Sequence, residues 1–263
     1  MNDCLIPWER RRRVPWSGLD VLALFLLYIV LIQYGAGATQ LFREPPPPIT
    51  ESVATTEHPL SQLVKQDRGA PLVWLVVLFS AIVAAPLGEE FFFRLVLQGW
   101  LEKQESFRFK RRILPHGLVS VVFSSLIFAI LHGGARKEQT AETLFYSLLG
   151  IGIANVCFMV LGIVFLRFGR KATWSDLGLR FHRLPTDLGA AAILFVLFVP
   201  PIIFIHVAIQ QLFPGIVTDP IPLFFFAVVL GFLFYRTRRL AGCILLHAML
   251  NGASFTALAI GVG

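Results

Sequence analysis

The chain has 263 residues, of which 56% are hydrophobic and only 15% charged, with a mean hydropathy of +0.72. A soluble domain carries nearer a quarter of charged residues, so long apolar runs at this composition exclude one. The formal charge of +7 lies between apolar runs instead of along one face, which argues against nucleic acid and for topology signals and contact with anionic lipid.

A helix needs roughly 20 apolar residues to cross a bilayer. On that measure the sequence predicts an all-α, polytopic transmembrane helix bundle of about seven spans, at 17–36, 71–100, 115–132, 143–166, 187–210, 221–235 and 240–260. The second run is too long for one straight span, and Pro86 is its natural kink or break point. The sixth is short. Basic residues gather in every second loop: "ERRRR" before the first span, "EKQESFRFKRR" after the second, "RFGRKATWSDLGLRFHR" after the fourth and "RTRR" after the sixth. That alternation predicts a cytoplasmic N-terminus.

The first outer loop holds Pro45–Pro48, a stiff extended spacer. Trp174–Leu179 reads as an interfacial stretch with an aromatic anchor. Cys4, Cys157 and Cys243 show no pairing or metal spacing, and the latter two read as small core residues.

Three polar groups interrupt the apolar runs. Glu89 and Glu90 stand together, and Glu90 shares a helical face with Arg94 at i, i+4, leaving Glu89 about 100° away. His132 ends "SSLIFAILH", with Ser124 and Ser125 on roughly the same face. His247 and Asn251 stand at i, i+4 in "LLHAMLN". Each group alone fits a helix–helix hydrogen bond or ion pair. Together, a carboxylate, two imidazoles and an amide can activate water and stabilise an oxyanion. Two His and one Glu are also a catalytic zinc set. A transporter would need polar residues along several spans, and beyond Asp20 and Asp187 there are few.

In this order "EEFFFR", "FAILH" and "HAMLN" match the motifs EExxxR, FxxxH and HxxxN, and the chain resembles the CPBP family of intramembrane proteases. That family includes type II CAAX prenyl endopeptidases and bacteriocin-processing or immunity proteins. Tyr235 and Thr237 add to the likeness. The resemblance implies an intramembrane endopeptidase in the bilayer of a bacterial cytoplasmic membrane, acting on a peptide or membrane-protein substrate, prenylated or membrane-associated. It further implies that Glu89 and His132 activate water, that His247 and Asn251 stabilise the oxyanion, and that Glu90 and Arg94 position Glu89. The cofactor is a divalent metal such as zinc, held by Glu89, His132 and His247, or none. The matching domain is expected over 72–256, after an N-terminal part at 1–71 and before a tail at 257–263. His132 and His247 stand 115 positions apart, farther than the family's usual spacing, which implies an insertion at about 137–220. The same separation motivates an alternative, a non-catalytic immunity or scaffold protein retaining the protease fold.

Overall fold

The computed structural model describes residues 13–38, 71–108, 115–132, 141–212 and 220–259. Among these there is no strand, and the described residues form a bundle of seven helices. They are α1 (Gly18–Ala38), α2 (71–108), α3 (Leu118–His132), α4 (Ala141–Val164), α5 (Leu184–Leu212), α6 (Pro220–Thr237) and α7 (Leu240–Ala259). Five of them, α1, α2, α4, α5 and α6, are long and apolar enough to cross a membrane, whereas α3 and α7 are shorter apolar helices. Large apolar side chains such as Leu19, Leu75, Val196 and Phe204 face outward, a pattern that fits lipid and not water. The proline spacer Pro45–Pro48, Cys4 and the last four residues lie outside the described residues.

The second helix does not break at Pro86. It runs as α over Pro71–Leu78, π over Phe79–Ala84, α over Ala85–Glu90, π over Phe91–Gln98 and α over Gly99–Arg108. The proline ring crowds the preceding turn, and the wider π turn just before it makes room for the ring. The helix also continues eight residues past the expected end at 100, through the polar stretch "LEKQESFR".

The first helix is capped from within: the Ser17 backbone N–H and hydroxyl both donate to Asp20, at 2.7 and 2.8 Å. Arg170, just past a π turn (Phe165–Gly169) that ends α4, donates to the same carboxylate at 2.5 and 2.8 Å. Higher up, Gly35 of α1 lies against the Gly150 backbone, where any Cβ would collide. Small residues let these two helices meet at backbone distance. Trp16 is fully buried, its indole N–H donating to Val96 O at 3.0 Å. Val14, Trp16, Val21 and Leu24 share one apolar core with α2, so residues 13–38 pack as part of the bundle.

Two basic residues in the loop between α6 and α7 turn inward, Arg239 buried and Arg238 half-buried. Only Arg238 and Arg239 separate α6 from α7, and Arg238 turns the chain at a φ of 53°. Arg238 pairs with Glu102 at 2.6 Å and Arg239 with Asp187 at 3.0 Å, Arg239 and Asp187 both about 1% exposed. The stretch after α4 packs beneath this turn: Gly178, at a φ of 66° open to glycine, accepts the Leu240 N–H at 3.2 Å. Trp174 is exposed there with Arg167 over its ring, as an interfacial anchor would be. Cys243 is buried as expected, but Cys157 is exposed on the outer face of α4.

Candidate active site

Glu89 and Glu90 close the short α stretch between the two π segments. Just before them Gly88 lets α4 come close, because a Cβ there would overlap the Asn155 amide. Glu90 and Arg94 form the expected pair, with Nε 3.1 Å from Oε2 and both side chains fully buried. The other oxygen of Glu90 meets His247 Nδ1 at 2.8 Å. Glu90 thus bridges Arg94 to His247. One residue's rotation of about 100° from Glu89 points it at α7.

Glu89 faces two imidazoles. Its Oε2 lies 3.4 Å from His132 Nε2 and 3.8 Å from His247 Nε2. Each ring is anchored by its other nitrogen, His132 Nδ1 to Phe128 O at 2.7 Å and His247 Nδ1 to Glu90. A carbonyl or a carboxylate oxygen only accepts, so both Nδ1 atoms carry hydrogen and both Nε2 atoms are the reactive ones. Phe128 stacks on His132 with centroids 4.2 Å apart and meets His247 edge-on at 6.1 Å. The Glu89 side chain is 13% exposed and that of His132 is 32% exposed, so the cluster opens on the α3 side.

The extra length of α2 makes this meeting possible. At ~1.5 Å per residue, Glu89 stands roughly 28 Å from the α2 end at Arg108, and His132 about 21 Å from the start of α3. Measured from an end at 100, Glu89 would have sat well short of His132.

Arg94 lies 5.6 Å over the Phe128 ring and donates to Ser124 at 3.5 Å, so the serines of α3 adjoin the site from behind. Arg94 pairs with Glu90 and not with Glu89, which faces the two imidazoles.

Asn251 does not stand beside His247 as a second free donor. Its Nδ2 donates to Ala81 O, in the first π segment, at 2.7 Å. Anchored imidazoles facing a carboxylate have the chemistry of a divalent-cation site. Yet among the described residues no three His, Cys, Asp or Glu side chains are grouped to hold an ion. Glu89, His132 and His247 thus do not fit a metal in this arrangement.

The family model described as type II CAAX prenyl endopeptidase Rce1-like matches residues 71–175 and 162–253. The chain belongs to this family. It is an integral, multi-pass membrane protein with the fold of an intramembrane CAAX-type protease. The two matched stretches overlap and together run through the segment expected as an insertion. No curated protein and no solved structure matches the chain.

Within the family match, the polar face of α2 extends beyond the three motifs. Gln98 donates to Glu102 at 3.1 Å and to Gly231 O at 2.9 Å, and Glu102 holds Arg238. Glu105 accepts from the Gly117 N–H at 2.7 Å and from Ser120 at 2.6 Å. Glu90, Arg94, Gln98 and Glu102 stand every fourth residue, all buried. That spacing was the signal for the two lower members, which the motif comparison passes over.

Proposed function

We propose that the chain is an intramembrane endopeptidase that hydrolyses a peptide bond of a prenylated, membrane-associated substrate, using protein groups alone. The observation that carries this reading is the approach of two anchored imidazoles, each by Nε2, to one oxygen of Glu89. Glu89 takes a proton from water, and the hydroxide attacks the carbonyl carbon. His132, held by its Nδ1–H, shares that proton through Nε2. The proton then passes to the leaving amine nitrogen, which restores the carboxylate.

His247 bonds Glu90 through Nδ1–H, so Nε2 can donate to an oxyanion only when the ring is cationic. Glu90 at 2.8 Å stabilises that cation, and the ion pair with Arg94 at 3.1 Å holds Glu90 in place. The convergence of residues from both sides of the 115-position gap favours this reading over a scaffold that merely keeps the fold.

The test is cleavage of a prenylated-cysteine peptide by purified protein in detergent. Glu89→Ala is expected to abolish cleavage while the protein stays folded; retained cleavage would remove Glu89 from the reaction. A strong chelator is expected to leave the rate unchanged. Inhibition reversed by added zinc would make Glu89, His132 and His247 metal ligands instead.

A further inference from the structure

The bond from Asn251 to Ala81 has a cause in the backbone of α2. In an α-helix the Ala81 carbonyl would accept the N–H of Ala85. Here the Ala85 N–H bonds Ser80 O, one residue out of register, as a π turn requires. In the shifted register the partner of Ala81 O is the nitrogen of residue 86, which is a proline and carries no hydrogen. The carbonyl is therefore left without a backbone donor, in a helix that has no water to offer one. Asn251 Nδ2 meets it at 2.7 Å.

We propose that Asn251 is a positioning residue, supplying from α7 the N–H that Pro86 cannot. Two bonds then pin α7 to α2: Asn251 to Ala81 O, and His247 to Glu90 at 2.8 Å. A single bond would leave α7 free to rotate about its axis. Two bonds, one helical turn apart on α7, fix the rotation and hold His247 Nε2 towards Glu89. The catalytic consequence rests on the function proposed above; the bond itself does not. It also accounts for why an amide stands at this position: its N–H reaches a carbonyl that an apolar side chain would leave bare.

The experiment is a double-mutant cycle of wild type, Asn251→Ala, Pro86→Ala and the double variant, read as cleavage of a prenylated-cysteine peptide and as melting temperature in detergent. Asn251→Ala is expected to lower kcat about 10²-fold with KM little changed, the loss that a misplacement near an ångström causes. Pro86→Ala alone keeps most of the cleavage. In the double variant Ala81 O has a backbone donor again, from residue 85 or 86, and at least about a tenfold recovery of kcat is expected.

A double variant as inactive as Asn251→Ala overturns the proposal and leaves Asn251 as a group acting on the substrate. The melting temperatures carry the same test without cleavage. The drop on Asn251→Ala should be smaller in the Pro86→Ala background, and equal drops overturn the proposal. Retained cleavage by Glu89→Ala would instead sink the proposed function and leave this coupling standing. Should Pro86→Ala fail to fold, an isotope-labelled carbonyl at Ala81 gives a second reading. Its infrared band is expected to move to higher frequency in Asn251→Ala, and an unmoved band overturns the proposal.

Discussion

Both halves of α2 bury carboxylates, and the two halves use them differently. In the lower half each acid meets its match: Glu102 pairs with Arg238, and Glu105 takes the Gly117 N–H and the Ser120 hydroxyl. Beside them Asp187 pairs with Arg239. In the upper half Glu90 holds Arg94 and His247, while Glu89 meets only the two histidines, at 3.4 and 3.8 Å. A balanced, hydrogen-bonded charge holds helices together, whereas a surplus carboxylate at loose distances is free to exchange a proton. The contrast separates scaffold from site more sharply than burial does, since Glu90 and Glu102 are equally hidden.

Substitutions test the contrast, and the largest effect belongs to the upper half. Glu89→Gln keeps the shape and removes the base, so cleavage should fall by about 10⁴-fold, the upper end for general base catalysis. Its melting temperature should stay near that of wild type; a large drop would make Glu89 a structural acid like those below. Next comes Asp187→Ala. It leaves Arg239 buried beside a cavity and should lower stability by about 3–5 kcal/mol. Activity per folded molecule should be kept, and denaturation followed with a cleavage assay reads both. The smallest change is Ser120→Ala, which removes one hydrogen bond from Glu105 and should cost about 1 kcal/mol with cleavage untouched. Loss of cleavage there would join the two halves into one working unit.

How much of this was legible in the sequence differs from residue to residue. The helices followed from apolar runs, because a bilayer demands length and hydrophobicity that few other segments have, and five of the described ones meet that length. Glu90 and Arg94 were readable as a pair because i, i+4 is a local relation. The link from Glu90 to His247 spans 157 positions, and nothing local encodes it. The π segments were hidden too, since a one-residue shift in hydrogen bonding leaves no mark on an all-apolar stretch; only Pro86 hinted at a disturbance. The partners of Arg238 and Arg239 were hidden for a physical reason. Basic residues between two spans look alike whether they face lipid headgroups or buried acids, and their partners Glu102 and Asp187 lie on other helices.

One feature of α3 reaches beyond the protein. Its outward apolar stripe, from Leu118 through Val122, Leu126 and Ile130 to Leu131, covers only ~20 Å of helix at 1.5 Å per residue. A bilayer's hydrocarbon layer is about 30 Å thick. A bilayer that thins to match this described stretch would bring its headgroups and water closer to His132, the last described residue of α3. On the function proposed above, the lipid would then be part of the route by which water reaches Glu89, and turnover should rise in bilayers of shorter acyl chains.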